Sequence, residues 1–416
     1  SIRRQRQMCI RDRSMTEIPH GSFKGCTGLT SVTIPKSVTK IANFAFSGCT
    51  SLTGVTIPDG VTSVGYRAFE ECSGLTNVHI PDSVISIDTY AFYGCSGLKS
   101  IRLPEGITSV GQYTFSGCAS LESVTIPDGV TSIDGDAFYG CAGMVNVYIP
   151  EGVVSIAWGA FANCSSLKSV IIPETVTSIG SSAFSGCTAL TSVNIPEGIA
   201  SIESNTFKDC SSLVSVSIPE TVESIGSSAF EGCTNLTSVG VLENVASIGQ
   251  EAFRNCSSLK SVTISGNVTV IEQGSFYNCT SLESVELPDG LLSISDAVSY
   301  EGAFENCSSL KSIVIPDSVT SIGNKAFSGC RSLTNVTIPE GVTSISDSVF
   351  SGCSGLTSVS IPESVTGIGD FAFSGCSSLT GITVPKNVTS IGRNAFYGCS
   401  GLTGFCVPSG ITNLPD

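Results

Sequence analysis

Apolar side chains recur along this chain with a period of 23 residues, from about Thr16 to the last residue. Seventeen cysteines mark the period. Cys26 to Cys279 stand 23 apart, one step of 28 leads to Cys307, and the 23-residue spacing then runs on to Cys399. Counted from each cysteine, position +3 is Leu in sixteen of the seventeen units, with Met144 the exception, and +6, +8, +12 and +15 are apolar throughout. Pro stands at +9 in fifteen units, and a Phe lies three residues before every cysteine of the series, from Phe23 to Phe396. A short fixed period means a stack of units, each burying its apolar side chains against its neighbours.

The positions within one unit predict its elements. Apolar +6 and +8 between polar +5 and +7 is the alternation of a half-buried strand, so Thr-Ser-Val-Thr-Ile at 30–34 and its equivalents should form a parallel sheet on one face. Pro at +9 ends the strand, because it cannot donate to a ladder. The Val-Thr-Ser-Ile-Gly stretch of 176–180 typifies a second short extended segment. Ala-Phe-x-Gly-Cys is too short for a regular α-helix and is expected to make a single helical or 3₁₀ turn that drives Phe and Cys inward.

Composition fits such a stack. Charged residues make up only 13% of 416, roughly half the usual ~25%, so the surface is mostly Ser, Thr, Gly and Asn. A net charge of −15 argues against nucleic acid or an anionic membrane as partner. The 41% hydrophobic content is spread over a repeating interior, and no apolar run reaches the ~20 residues of a membrane span. One thiol per unit at one position behaves as a small buried hydrophobe, so free buried cysteines are expected rather than bridges.

The unit Ile-Pro-x-x-Val-Thr-Ser-Ile-Gly-x-x-Ala-Phe-x-Gly-Cys-x-x-Leu-Thr-Ser-Val resembles the BspA-type, or Treponema pallidum-type, leucine-rich repeat, and the resemblance covers roughly residues 16–416. It implies a leucine-rich repeat solenoid, an elongated, curved single domain. Members are mostly surface or secreted proteins of bacteria and some parasitic protists, associated with adhesion to host proteins, other cells or matrix.

Two segments break the pattern. Residues 1–15 carry Arg3, Arg4, Arg6, Arg11 and Arg13 but no repeat position, and read as a foreign or disordered leader. A five-residue insertion within 295–302 should bulge from the turn before Phe304, away from the main strand. The repeat also stops partway through a unit at both ends, which suggests a piece of a longer protein or ends covered by another domain.

Little points to catalysis. His20 and His79 are the only histidines, and neither has a nucleophile beside it in sequence. No enzyme, cofactor or metal site is expected. Position +10 is acidic in thirteen units, beginning with Asp59, Asp82, Glu105 and Asp128; this suits a tight turn after Pro, with an electrostatic rail for a cationic partner as the functional reading. Departures from the repeat are better pointers to recognition. Position +7, most often Thr or Ser, reads His79, Arg102, Thr125, Tyr148 in four consecutive units, with Lys99, Glu122 and Lys168 nearby at +4. Arg and aromatic side chains are typical interface anchors. A second group, Phe44, Tyr66, Tyr90, Tyr113 and Trp158, falls at +17 and +18, as a sticky stripe or as rings partly buried on the adjacent turn.

The expected function is a non-enzymatic adhesion module that binds a host, matrix or cell-surface protein along its sheet face. The nearly interchangeable units would equally serve a stiff spacer holding another domain away from the cell. Free thiols would suit an intracellular protein-interaction scaffold.

Overall fold

The computed structural model describes residues 8–9, 15–264, 266–295, 301–407 and 409–411. It is a parallel β-solenoid whose contacts divide into two compact units, Ser1–Ile199 and Ala200–Asp416. Of the first fifteen residues, Met8–Cys9 form a short strand parallel to Val32–Thr33. The middle of the insertion, 296–300, lies outside the described residues.

Each coil of the first unit contributes two short strands. The first spans +5 to +7, as in Ser100–Arg102, Ser123–Thr125 and Asn146–Tyr148. Their central Ile or Val is buried and the flanking residues are exposed, which is the predicted alternation. The second spans +14 and +15, as in Ser109–Val110 and Ser132–Ile133. Both kinds pair in parallel with a 23-residue offset: Val124 faces Ile101, and Ile133 faces Ile156.

The second unit repeats the arrangement. Six strands from Ser201–Ile202 to Ser321–Ile322 form one sheet, and four from Val241–Leu242 to Ser312–Ile313 form another. Across the insertion the offset grows to 28, with Ser284 facing Ser312 and Ile294 facing Ile322. The five extra residues are therefore absorbed without losing register on either side.

The expected helical or 3₁₀ turn is not there; no described residue is helical. Instead 42–49 is a chain of tight turns. Ala45, Ser47 and Cys49 donate their amides three residues back, to Ala42, Phe44 and Phe46. The alternate amides of Phe44, Phe46 and Gly48 donate to Tyr66, Ala68 and Glu70 in the next coil. Only a backbone that turns left-handed at intervals can aim every second N–H along the stack. Phe44 (φ 58°) and Gly48 (φ 74°) supply those turns, five residues and one residue before the cysteine. The Ala-Phe-x-Gly-Cys spacing suits a helix, but inter-coil hydrogen bonding takes the amides a helix would need.

This has a measurable consequence. At Gly117 (φ 75°) the only close neighbours of an added Cβ are Gly94 atoms at 3.5 and 3.6 Å, so the cost of Gly117→Ala is conformational. It should destabilise by about 1–2 kcal/mol. Ser182→Gly, at φ 60°, should gain up to about the same. Urea midpoints that move the same way in both variants would contradict this account.

The core is a set of columns. Rings Phe23 through Phe184 stack in the first unit with centroids 5.1–5.6 Å apart, and Phe207 through Phe396 in the second at 5.3–5.7 Å. The seventeen cysteines of the series form the adjacent column as free thiols, buried except at Cys26. Each thiol does more than fill space. Cys49 donates to the Phe23 carbonyl at 3.1 Å, Cys118 to Phe92 at 3.3 Å and Cys330 to Phe304 at 3.2 Å, always one coil back. A small apolar side chain with one weak donor meets that position's two demands.

Candidate interaction surfaces

The strand face of the first unit carries the predicted +7 row. His79, Arg102 and Tyr148 end their strands with exposed side chains. Arg102 bridges two coils, pairing with Asp82 and Glu105 at 2.8 Å each. The guanidinium beside Asp82 holds that carboxyl below the usual range, and the same contact raises Arg102. All three groups are exposed, so solvent screens the pairs and their effect is orientation more than stability.

Asp82 also accepts the Glu105 amide at 3.2 Å, and Glu174 accepts that of Glu197. The acidic +10 row thus does turn work: Pro58 and Pro104 accept from Val61 and Ile107, and a carboxylate can cap the following coil. Among the described residues no three His, Cys, Asp or Glu groups are placed to hold a metal.

Of the charged +4 residues, Lys99 and Glu122 come together on adjacent rungs, the Glu122 amide donating to the Lys99 carbonyl at 2.8 Å. Lys168 stands two rungs beyond Glu122, with Val145 between them. All three are exposed. Tyr148 pairs in register with Ile171, and the two are 65% and 77% exposed. Ile171 escaped the sequence reading because an apolar +7 residue looks like one more strand residue; the alternation alone places it outward. A shallow hollow on the same face is lined by Lys36, Thr56, Asp59 and His79, among others.

The turn edge of the first unit carries the aromatic group as one continuous strip. Phe44 meets Tyr66 edge-on at 5.4 Å, Tyr66 meets Tyr90 at 5.8 Å, Tyr90 stacks on Tyr113 at 4.5 Å, and Tyr113 meets Trp158 at 5.7 Å. The first four rings are half-buried and Trp158 is 44% exposed. Trp158 bridges across the intervening coil because Gly135 lies under its indole; a Cβ there would come within 2.4 Å of the ring. Sequence reasoning missed the polar members. His20 extends the strip at 5.5 Å from Phe44, Lys24 lies 4.5 Å over Phe44, and Arg67 lies 4.7 Å over Tyr90. Those residues occupy other columns or replace an aromatic in the same column, so no run of like residues announces them.

In the second unit Arg254 gathers charge about the insertion. It pairs with Glu301 at the insertion's end, lies 3.6 Å from Glu251, and covers the Tyr277 ring at 4.7 Å. Burial raises the Glu305 carboxyl nearby.

Stacked parallel coils with a Leu, Val and Ile interior define a leucine-rich repeat solenoid, a fold that typically serves as a non-catalytic protein-interaction scaffold. The model of the BspA type leucine rich repeat region matches residues 16–145, 131–257, 201–301 and 298–416, and the chain belongs to that family. A leucine-rich repeat protein from Bacteroides ovatus is 27% identical, over 96% of this chain and 86% of its own, with a TM-score of 0.58. A leucine rich cell surface protein from Faecalibacterium prausnitzii is 32% identical over 83% of each chain, with a TM-score of 0.45. The T. pallidum leucine rich repeat protein is 31% identical over 44% of this chain and 77% of its own, with a TM-score of 0.36. No curated protein matches. Among the described residues no helix is long and apolar enough to cross a membrane.

Proposed function

We propose that this chain is the protein-binding module of a surface-displayed or secreted protein, engaging a host, matrix or cell-surface protein through the strand face of its first unit. The observation that carries the reading is the exposed pair Tyr148 and Ile171 on a face where the repeat most often sets Thr or Ser, with Arg102 two coils before Tyr148. Apolar side chains held open to water on the same face as an oriented guanidinium are the makings of an interface anchor. Lys99, Glu122 and Lys168 provide a charged margin. The family resemblance supports surface display.

The spacer is the second reading, favoured by the near identity of most coils. Binding of the chain to a panel of immobilised matrix and cell-surface proteins separates the two. The triple variant His79→Ser, Arg102→Ser, Tyr148→Thr should weaken saturable binding by tenfold or more while leaving the urea midpoint in place. Unchanged binding by that variant would remove the strand-face site, and no binding to any panel member would favour the spacer.

A further inference from the structure

The aromatic strip shares no residue with the strand-face patch, and the rings it places on a left-handed backbone set it apart. Phe44, Tyr90 and Tyr113 have φ of 58°, 61° and 57°, in the left-handed region that bulky side chains avoid. The same column holds Ser182, Asn205 and Ser228 elsewhere, so the fold does not require rings there. Bulky rings kept at a column that is left-handed in coil after coil, where smaller residues serve elsewhere, point toward a use for them.

The strip's own contacts indicate the use. Its rings take cations: the Lys24 ammonium sits over Phe44, and the Arg67 guanidinium sits over both Tyr66, at 5.1 Å, and Tyr90. At the far end the pattern stops. Among the described residues no cation lies over Tyr113 or Trp158. A carboxylate stands there instead. Asp136, partly buried against Gly159, is close enough that its charge adds to burial in raising the Tyr113 phenol. The 44% exposed Trp158 indole, the half-buried Tyr113 ring it meets and a partly desolvated carboxylate form a receptor for a planar organic cation.

We propose that Tyr113, Trp158 and Asp136 bind an arginine side chain of a basic segment in a partner protein, continuing the series that Lys24 and Arg67 begin. Arginine is favoured over lysine because the guanidinium stacks on an aromatic face while its edge donates to a carboxylate. The net charge of −15 draws a basic segment toward the chain, and the strip fixes where its arginine lands.

Trp158 is the only tryptophan, so the site carries its own reporter. The full chain would be titrated with blocked tetra-arginine at physiological salt, followed by Trp158 fluorescence and by calorimetry. Tyr113→Asn and Asp136→Asn are the test variants, since asparagine tolerates the left-handed backbone at both positions. Unchanged circular dichroism and urea midpoints confirm that they fold, and Trp158→Phe, read by calorimetry, serves if either does not. Saturable binding, at least fivefold weaker in each variant, weaker for tetra-lysine and absent for tetraglutamate, is the expected result. No saturable response, or equal affinity in all variants, would overturn the site and assign any attraction to the general acidity of the chain. Loss of peptide binding in the strand-face triple variant alone would overturn it as well, while leaving the proposed function standing.

Discussion

Phe115→Ala should cost the first unit about 3–5 kcal/mol. The ring is fully buried, stacked between Phe92 at 5.5 Å and Phe138 at 5.6 Å, with interplanar angles of 6° and 9°. Removing it opens a void that neither neighbour can fill, because each ring is also stacked on its other face, Phe92 on Phe69 and Phe138 on Phe161. A stack transmits stability only through adjacent coils, so one such void weakens two interfaces at once. Trp158 lies in the first unit and reports on it alone, whereas circular dichroism sees both units. The fluorescence-detected urea midpoint should fall sharply and the dichroism curve should split into two steps. Phe23→Ala should cost less, since that ring is 8% exposed and has one stacked phenylalanine, Phe46. A loss below about 1 kcal/mol at Phe115 would mean the phenylalanine column is not the core's main support.

Such a column was legible in the sequence because burial in a solenoid is periodic: the same side chain meets the same environment every 23 residues. Strand positions followed from the Val-x-Ile alternation and its Pro for the same reason. The turns were not legible, because Ala-Phe-x-Gly-Cys spacing is compatible with both a helix and a left-handed turn chain. A signal did exist. The residue before each cysteine is Gly, Asn or Asp in all units but one, with Glu71 as the exception, and those are residues that tolerate positive φ. The column at Phe44, Tyr90 and Tyr113 hid it by placing aromatic rings in the same backbone region. At the surface, the +7 column could be placed on one face from sequence, but the reach of Arg102 to Asp82 and Glu105 depends on how the Pro turn brings +10 beside +7. That is a fact of three dimensions. The joining of Lys24, Arg67 and Asp136 to the aromatic strip is another.

The thiol column makes the chain sensitive to alkali. Burial lifts Cys49 to about 11 and Cys72, Cys118, Cys187 and Cys353 to about 12, against an ordinary value of 9.0. Cys95, Cys141, Cys164, Cys233, Cys256, Cys279, Cys307 and Cys330 rise for the same cause, and Cys376 through the Cys399 thiol together with burial. A group whose folded value lies above its unfolded one keeps its full contribution below the unfolded value and loses it as pH rises toward the folded one. Above about pH 9 the unfolded chain releases protons that the folded chain retains, so stability falls with pH. Each such thiol contributes a slope of about 1.4 kcal/mol per pH unit, and seven act in each compact unit, which outweighs a marginal stability of about 5–15 kcal/mol within roughly one to two pH units. We therefore expect cooperative alkaline unfolding between about pH 9 and 11, with thiolate absorbance and loss of dichroism rising together. At pH 7 the same thiols are almost wholly protonated and shielded, so a thiol reagent should at once modify only the exposed Cys26 and Cys406, with Cys9 replaced by serine to keep the count clean. Cys399 should follow, since it is 9% exposed and its neighbour Cys376 lowers it. The others should react only as fast as the chain unfolds. Thiolate absorbance that titrates near pH 9 with dichroism intact would show that the column opens to solvent without unfolding, and would end the case for a closed cysteine core.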